Sequence, residues 1–348
     1  MEQSVQKRGR AALTNPVSRF EKIDMTYDPD PDAPAQVKTQ FFADRTKSII
    51  SRNDSPDVGF NASLNAYRGC EHGCIYCFAR PTHEYLGLSS GLDFETKIFV
   101  KMNAPELLRA EMSAKGWEPQ VVVMSGVTDC YQPFERKFEI TRRCLEVFAE
   151  FKNPIAIITK NHLVTRDIDI LARMHAWQGA RVNISITTLD RELARALEPR
   201  ASTPSRRLEA VKMLSDAGIP VNVMVAPIIP GLTDEEIPAI LEASAKAGAQ
   251  SAAHTLLRLP YNLKDHFEQW LEQNAPLRKQ KVLNRIREMR GGKLNNTEWG
   301  QRMRGQGEYY DLLTQLFYAH KKKFGLNGMR SDLSVAHFKV PSDQMDLF

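Results

Sequence analysis

Cys70, Cys74 and Cys77 fall within eight positions, in the run Tyr67-Arg-Gly-Cys-Glu-His-Gly-Cys-Ile-Tyr-Cys77, with C-x3-C-x2-C spacing. Three thiolates on one short loop can each take one iron of a cubane and leave the fourth iron without a protein ligand, an open position for a cofactor or substrate. The same thiols could instead hold zinc, with His72 or His83 as the fourth ligand. Five cysteines in all, three of them crowded together, make a poor disulfide framework and point to a cofactor site in a reducing compartment. Cys144 lies on the apolar face of a helical stretch and reads as core. Cys130 directly follows Thr128 and Asp129 in a strand-end loop, where a reactive role competes with that of a buried inert thiol.

Short β-rich runs recur at Val121 to Met124, Ile155 to Thr159, Val182 to Thr187, Val221 to Val225 and Ser251 to Leu257. They start roughly 30 residues apart, the length of one βα unit, and a first strand around Asn61 to Tyr67 makes six. Between them lie helical periodicities. In Phe138 to Phe151 the positions Ile140, Cys144, Leu145, Val147, Phe148 and Phe151 share one face, and Ile168 to Trp177 repeats the pattern. Thr203 before Pro204 reads as N-cap and N1, and Thr233 with Glu236 has capping-box spacing. The expected architecture is α/β, a partial (βα)6 TIM-like barrel, with chemistry at the C-terminal ends of its strands. A doubly wound open sheet is the alternative, but no Gly-rich dinucleotide fingerprint follows a strand.

The sequence of 348 residues, 42% hydrophobic and 26% charged, excludes wholesale disorder and fibrous repeats. Its polar start and its short apolar runs, of which Val221 to Ile229 is among the longest, suggest a cytoplasmic chain with no export signal and no membrane span. The organisation expected is an extended N-terminal arm over 1–59, the barrel over 60–260, a basic helical extension over 261–340 and a flexible tail over 341–348. The net charge of +5 is uneven, because residues 278–330 carry 13 Lys and Arg against 4 Asp and Glu. With Trp299, Tyr309 and Tyr310 interleaved, that segment suits a polyanion backbone such as DNA, or else forms a solvated helical face.

The cysteine motif, with Arg68-Gly-Cys70, Ser125-Gly-Val-Thr-Asp129, Ile158-Thr-Lys160, Ser185-Ile-Thr-Thr-Leu-Asp190 and Ala226-Pro-Ile-Ile-Pro-Gly231 in order behind it, resembles the radical S-adenosylmethionine (SAM) superfamily. Within it the resemblance is to the branch related to spore photoproduct lyase, and it spans about residues 60 to 260. It implies a barrel of the radical SAM type and a [4Fe–4S] cluster whose open iron is chelated by the amino and carboxylate groups of SAM. An electron then breaks a carbon–sulfur bond to give methionine and a 5′-deoxyadenosyl radical, which takes hydrogen from a substrate above the barrel. Thr128 and Asp129, where the superfamily usually has Gly-Gly-Glu, would accept from the SAM ammonium. Lys160 would face the carboxylate, Ser185 the ribose or carboxylate, Arg200 would be a second anion partner, and Tyr76 would pack near adenine.

Cys130 is the candidate hydrogen donor to a product radical, although the lyase cysteine precedes the Thr and Asp equivalents and Cys130 follows them. The expected function is radical chemistry on nucleic acid, as DNA repair or modification, with flavodoxin or ferredoxin as electron donor. The alternatives are a protein or small-molecule substrate, or a non-catalytic DNA-associated protein with a structural cluster or zinc. The tail Pro341 to Phe348 places Gln344 before Leu347 and Phe348, which resembles the short motif that docks repair proteins on the bacterial sliding clamp.

Overall fold

Val, Ile and Ala crowd the β-rich runs on both faces, as parallel strands covered by helices require. The computed structural model describes residues 9–12, 14–16, 19, 37–328 and 333–341. Among them the chain forms strands β1 (Gln40–Ala43), β2 (Ile50–Arg52), β3 (Ala62–Leu64) and β4 (Tyr67–Arg68), helix α1 (Leu92–Thr96), β5 (Lys97–Val100) and α2 (Ala104–Ser113). There follow β6 (Val122–Met124), α3 (Glu135–Phe138), α4 (Ile140–Phe151), β7 (Ile155–Thr159), α5 (Ile168–His175), β8 (Ala180–Ser185), α6 (Arg191–Leu197) and α7 (Pro204–Asp216). Next come β9 (Val221–Ile228), α8 (Ile237–Lys246) and β10 (Ser251–Leu256), and then α9 (Leu263–Asn274), α10 (Pro276–Glu288) and α11 (Glu308–Lys323).

The large sheet has the order β10-β9-β8-β7-β6-β3-β2. Its six parallel strands are β3, β6, β7, β8, β9 and β10, with registers such as Leu64 opposite Met124 and Thr159 opposite Ile184. β2 pairs antiparallel with β3 at the edge. Chain order and spatial order run together without reversal, so the switch point of a doubly wound sheet is absent and the partial (βα)6 barrel is the architecture. α4 buries the six apolar positions that its periodicity marks, Cys144 among them. α7 starts at Pro204, although the Thr203 hydroxyl meets Ser205 Oγ at 3.2 Å rather than a helix N–H.

The capping box expected at Thr233 and Glu236 does not form. Thr233 Oγ1 accepts instead from the Ile229 N–H at 3.0 Å, and the Glu236 carboxylate crosses to the Thr188 hydroxyl at 2.5 Å and the Leu189 N–H at 2.7 Å. A carboxylate that ties one βα loop to the next outweighs a local cap worth about 1 kcal/mol.

The cysteine loop leaves a second, small sheet of order β1-β5-β4. Gly69 and Gly73 have φ of +81° and +65°, and a Cβ would meet His83 Cε1 at 2.9 Å on the first and Glu95 Oε2 at 2.8 Å on the second, so both positions need glycine. Arg80, fully buried, pins the loop from beneath. Its guanidinium donates to Cys74 O at 2.9 Å, Gly73 O at 3.0 Å, Gly91 O at 3.1 Å, Ser90 O at 3.3 Å and Glu95 Oε1 at 2.6 Å. Glu95 also accepts from the Ala12 and Ala11 N–H groups, which fastens the N-terminal arm to the underside of the loop.

Removing one partner of a buried ion pair leaves the other charge uncompensated, so Glu95→Ala should lower the free energy of unfolding by about 3–5 kcal/mol. Removing the exposed Arg109–Glu150 pair with Glu150→Ala should cost about 1 kcal/mol or less. Urea unfolding of the two variants measures the contrast, and equal midpoints would refute it.

Beyond β10 the extension is helical. Residues 290–306, which connect α10 to α11, reach both edges of the open sheet. Arg290 donates to Leu257 O at 2.8 Å just after β10. Asp57, in the β2–β3 connection, accepts from the Gly300 N–H at 2.7 Å and from Arg302 Nε at 2.5 Å. No helix among the described residues is long and apolar enough to cross a membrane.

Candidate functional site

Each parallel strand ends in a loop on the same side of the sheet, and the first of these carries the thiols. Cys70 and Cys74 are buried and Cys77 is half-buried. Burial, then Asp129, then the neighbouring Cys74 and Cys77 push the Cys70 thiol up, and burial followed by Glu198 does the same to Cys74. Three such thiols are stable as thiolates only opposite positive charge, which is what a cluster provides.

Among the described residues no three His, Cys, Asp or Glu side chains converge as a single-ion site requires. Both histidines that could complete a zinc site have other partners. His72 Nδ1 faces Asp129 at 3.3 Å and its Nε2 faces Asn161 Nδ2 at 3.1 Å, while His83 Nε2 meets Lys97 O at 2.9 Å.

Asp129, placed by the loop after β6, has its acceptor capacity filled. Oδ1 accepts from the Tyr131 N–H at 2.9 Å and the Thr159 hydroxyl at 2.8 Å, and Oδ2 from the Lys160 N–H at 2.8 Å and His72. A carboxylate offers about four lone-pair sites, and these four donors occupy them. Asp129 thereby positions the end of β7 and the cysteine loop against each other. The Thr128 hydroxyl donates to Tyr67 O at 2.9 Å and keeps its lone pairs.

Lys160, at the end of β7, joins a buried polar network that sequence reasoning missed. Its ammonium donates to Ala226 O at 3.0 Å and Thr187 Oγ1 at 3.3 Å, pairs with Glu198 at 3.3 Å and lies 5.5 Å from the centre of the Tyr76 ring. Burial first, then Arg207, holds the Lys160 ammonium down at about 8. The Glu198 carboxylate also accepts from Tyr76 Oη, Arg207 Nη2 and, at 2.7 Å, Thr187 Oγ1. Arg207 further donates to Ser185 O at 3.0 Å and Ser202 O at 2.8 Å, which fixes the end of β8 and with it Ser185, a buried residue. Lys160, Tyr76 and Ser185 were singled out from the sequence one by one, whereas Glu198 and Arg207, which tie them together, were not.

Two residues singled out in the sequence lie apart from this network. Arg200 stays outside this network; it pairs with Glu71 at 3.0 Å and lines a separate cavity to which Lys160, Ser185 and Thr128 do not contribute. Cys130 is 1% exposed within the main apolar core, and burial, then Asp129, pushes its thiol up. Cys130 therefore packs within the core, as Cys144 does.

The family model described as the radical SAM superfamily matches residues 64–243. The uncharacterized protein Rv2578c of Mycobacterium tuberculosis is 35% identical over 232 residues, 66% of this chain and 67% of its own length. The uncharacterized protein MJ0683 of Methanocaldococcus jannaschii is 28% identical over 239 residues, 69% of this chain and 85% of its own. Among solved structures, a spore photoproduct lyase mutant with bound AdoMet and dinucleoside spore photoproduct superposes with a TM-score of 0.59 at 17% identity, over 82% of this chain and 78% of that one, which is a likeness of fold. A parallel half-barrel whose first strand feeds a three-thiol loop, matched by that family model over most of the barrel, belongs to the radical SAM superfamily of enzymes, with a [4Fe–4S] cluster and SAM as its cofactors.

Proposed function

We propose that this radical SAM enzyme acts on nucleic acid in the cytoplasm, repairing or modifying DNA in a reaction of the photoproduct-lyase kind, with a flavodoxin or ferredoxin as reductant. The observation that carries this reading is the loop between α10 and α11. It touches both edges of the open sheet and carries exposed Lys293, Trp299 and Arg304, two cations and an aromatic ring on one loop. Other cations of the basic segment are committed elsewhere. Arg302 pairs with Asp57, Arg285 with Glu288 and Lys281 with Glu235, while Arg290 is buried on main-chain carbonyls.

Bound together, the cluster and SAM supply a carbon radical that abstracts hydrogen. The chain's residues hold and orient. Cys70, Cys74 and Cys77 carry the cluster, and Arg80 keeps their loop in register. Lys160 pairs with the SAM carboxylate, a charged contact worth about 1.5–3 kcal/mol. Tyr76 and Ser185 face the nucleoside, and Thr128 offers its free lone pairs to the ammonium. The burial of these groups excludes water, which strengthens their charged contacts and holds the bound cofactor in one pose. The Gln344–Phe348 tail lies outside the described residues, and docking on the sliding clamp stands on its sequence alone.

Anaerobically reconstituted protein with dithionite should convert SAM to 5′-deoxyadenosine, and single-stranded DNA should change that rate. DNA retention should fall steeply with salt, and Lys293→Glu with Arg304→Glu should flatten the log–log slope by about 1.4 for a single strand. Salt-independent retention together with a DNA-independent rate would refute the nucleic-acid reading and leave the radical chemistry standing.

A further inference from the structure

Arg10 is a buried cation held by neutral acceptors. It is 4% exposed, and its guanidinium donates to Glu95 O at 2.8 Å, Val37 O at 3.1 Å and Thr39 Oγ1 at 2.8 Å, all neutral acceptors. Among the described residues it forms no ion pair. Burial first, then repulsion from Arg200, holds it below the usual guanidinium value. Its neighbour Arg200 has one carboxylate partner, Glu71, whose other oxygen, Oε2, is buried with no hydrogen-bond partner. The carboxylates that act on Arg10, Glu95 and Glu71, are already paired with Arg80 and Arg200, so three guanidiniums share two carboxylates and the surplus positive charge favours an anion.

Both arginines line a cavity of about 1040 Å³ between the N-terminal arm, the cysteine loop and α6. Exposed Lys38 and Arg195 stand on its lining, and Phe41 and Phe134, with ring centres 3.7 Å apart, form an apolar wall. None of Cys70, Cys74, Cys77, Tyr76 or Lys160 contributes to this lining, so the cavity is distinct from the cofactor residues. Its volume exceeds that of an inorganic anion and matches a ligand of nucleotide size. Guanidiniums recognise phosphate oxygens through paired donors, and an aromatic wall accepts a base or sugar face.

We propose that this cavity is a nucleotide site, with a phosphate group seated on Arg10 and Arg200 and its organic part against Phe41 and Phe134. The site deepens the nucleic-acid reading above, because it would hold one phosphate of a strand while the α10–α11 loop engages another stretch. The same chemistry would take a free mononucleotide, and the two sources are separable by experiment.

The test measures binding to full-length reconstituted protein of three probes, a fluorescent single-stranded oligonucleotide, thymidine 5′-monophosphate and inorganic pyrophosphate. Arg200→Gln and the surface double variant Lys38→Gln with Arg195→Gln are compared with the control Lys212→Gln on α7. The proposal expects Arg200→Gln to weaken the oligonucleotide about tenfold or more and the surface variant to weaken it less, with the control unchanged. Binding of the mononucleotide or pyrophosphate with the same Arg200 dependence, but no binding of the oligonucleotide, would support the cavity as a free-phosphate site and refute the nucleic-acid substrate. Oligonucleotide binding that is identical in Arg200→Gln, the surface variant and the wild type would overturn the cavity proposal while leaving that substrate class intact. Failure of all three probes to bind would overturn the proposal as well.

Discussion

Replacing any one of Cys70, Cys74 or Cys77 with Ala removes the iron signal and abolishes formation of 5′-deoxyadenosine, whereas Cys144→Ala leaves the iron content unchanged. The asymmetry follows from where the thiols sit. The first three share one loop held by glycines at Gly69 and Gly73 and by Arg80, with no fourth ligand to compensate for a loss. Two thiolates leave two irons of the cubane open and the cluster labile. Cys144 faces the core from α4, where losing its sulfur costs packing alone. Iron and sulfide analysis of the four variants, reconstituted side by side without oxygen, gives the result directly. Stoichiometric zinc without iron in the wild type would refute the assignment. Cys130→Ala belongs in the same series: its core position predicts intact iron and intact SAM cleavage, and a stalled product radical in that variant would give it the role of hydrogen donor.

The parallel strands were legible because each is a short apolar run punctuated by a helix, a pattern set by local burial on two faces. Their ends were less so. β8 starts at Ala180, two residues before the expected Val182, and β9 runs on to Ile228, three past the expected Val225, because pairing with neighbours rather than residue type decides where a strand stops. The capping box failed for the same reason, since Glu236 found better donors on another loop than on its own helix.

In the site, the placing of three cysteines together on one strand-end loop was legible from spacing, because it is a local property. What holds the loop was not. Arg80 and Glu95 are separated by 15 residues, and Tyr76 and Glu198 by 122, and no period or spacing connects them until the fold brings them together. Asp129 was singled out for its type and strand-end position, but its four donors come from elements that sequence alone does not place beside it.

The network around Glu198 carries the second large effect. Its carboxylate is the acceptor shared by Arg207, Lys160, Tyr76 and Thr187, and among the described residues no other carboxylate pairs with Arg207 or Lys160. Glu198→Ala therefore leaves two buried cations facing one another and should cost about 3–5 kcal/mol of stability. A loss of that size would also follow from any bad core substitution, so a second variant separates the causes. Glu198→Met with Arg207→Met replaces the pair by apolar groups of similar length, and such replacements are close to neutral in stability because both desolvation penalties vanish together. That double variant should recover most of the lost stability, yet still cleave SAM at least tenfold more slowly, because Lys160 and Tyr76 lose the acceptor that orients them and Ser185 loses the guanidinium that fixes its strand end. Urea midpoints and rates of 5′-deoxyadenosine formation on the same preparations give both quantities. A double variant that is stable and fully active would show that the network is packing alone. A double variant no more stable than Glu198→Ala would show instead that Lys160 itself cannot stay buried without a carboxylate beside it.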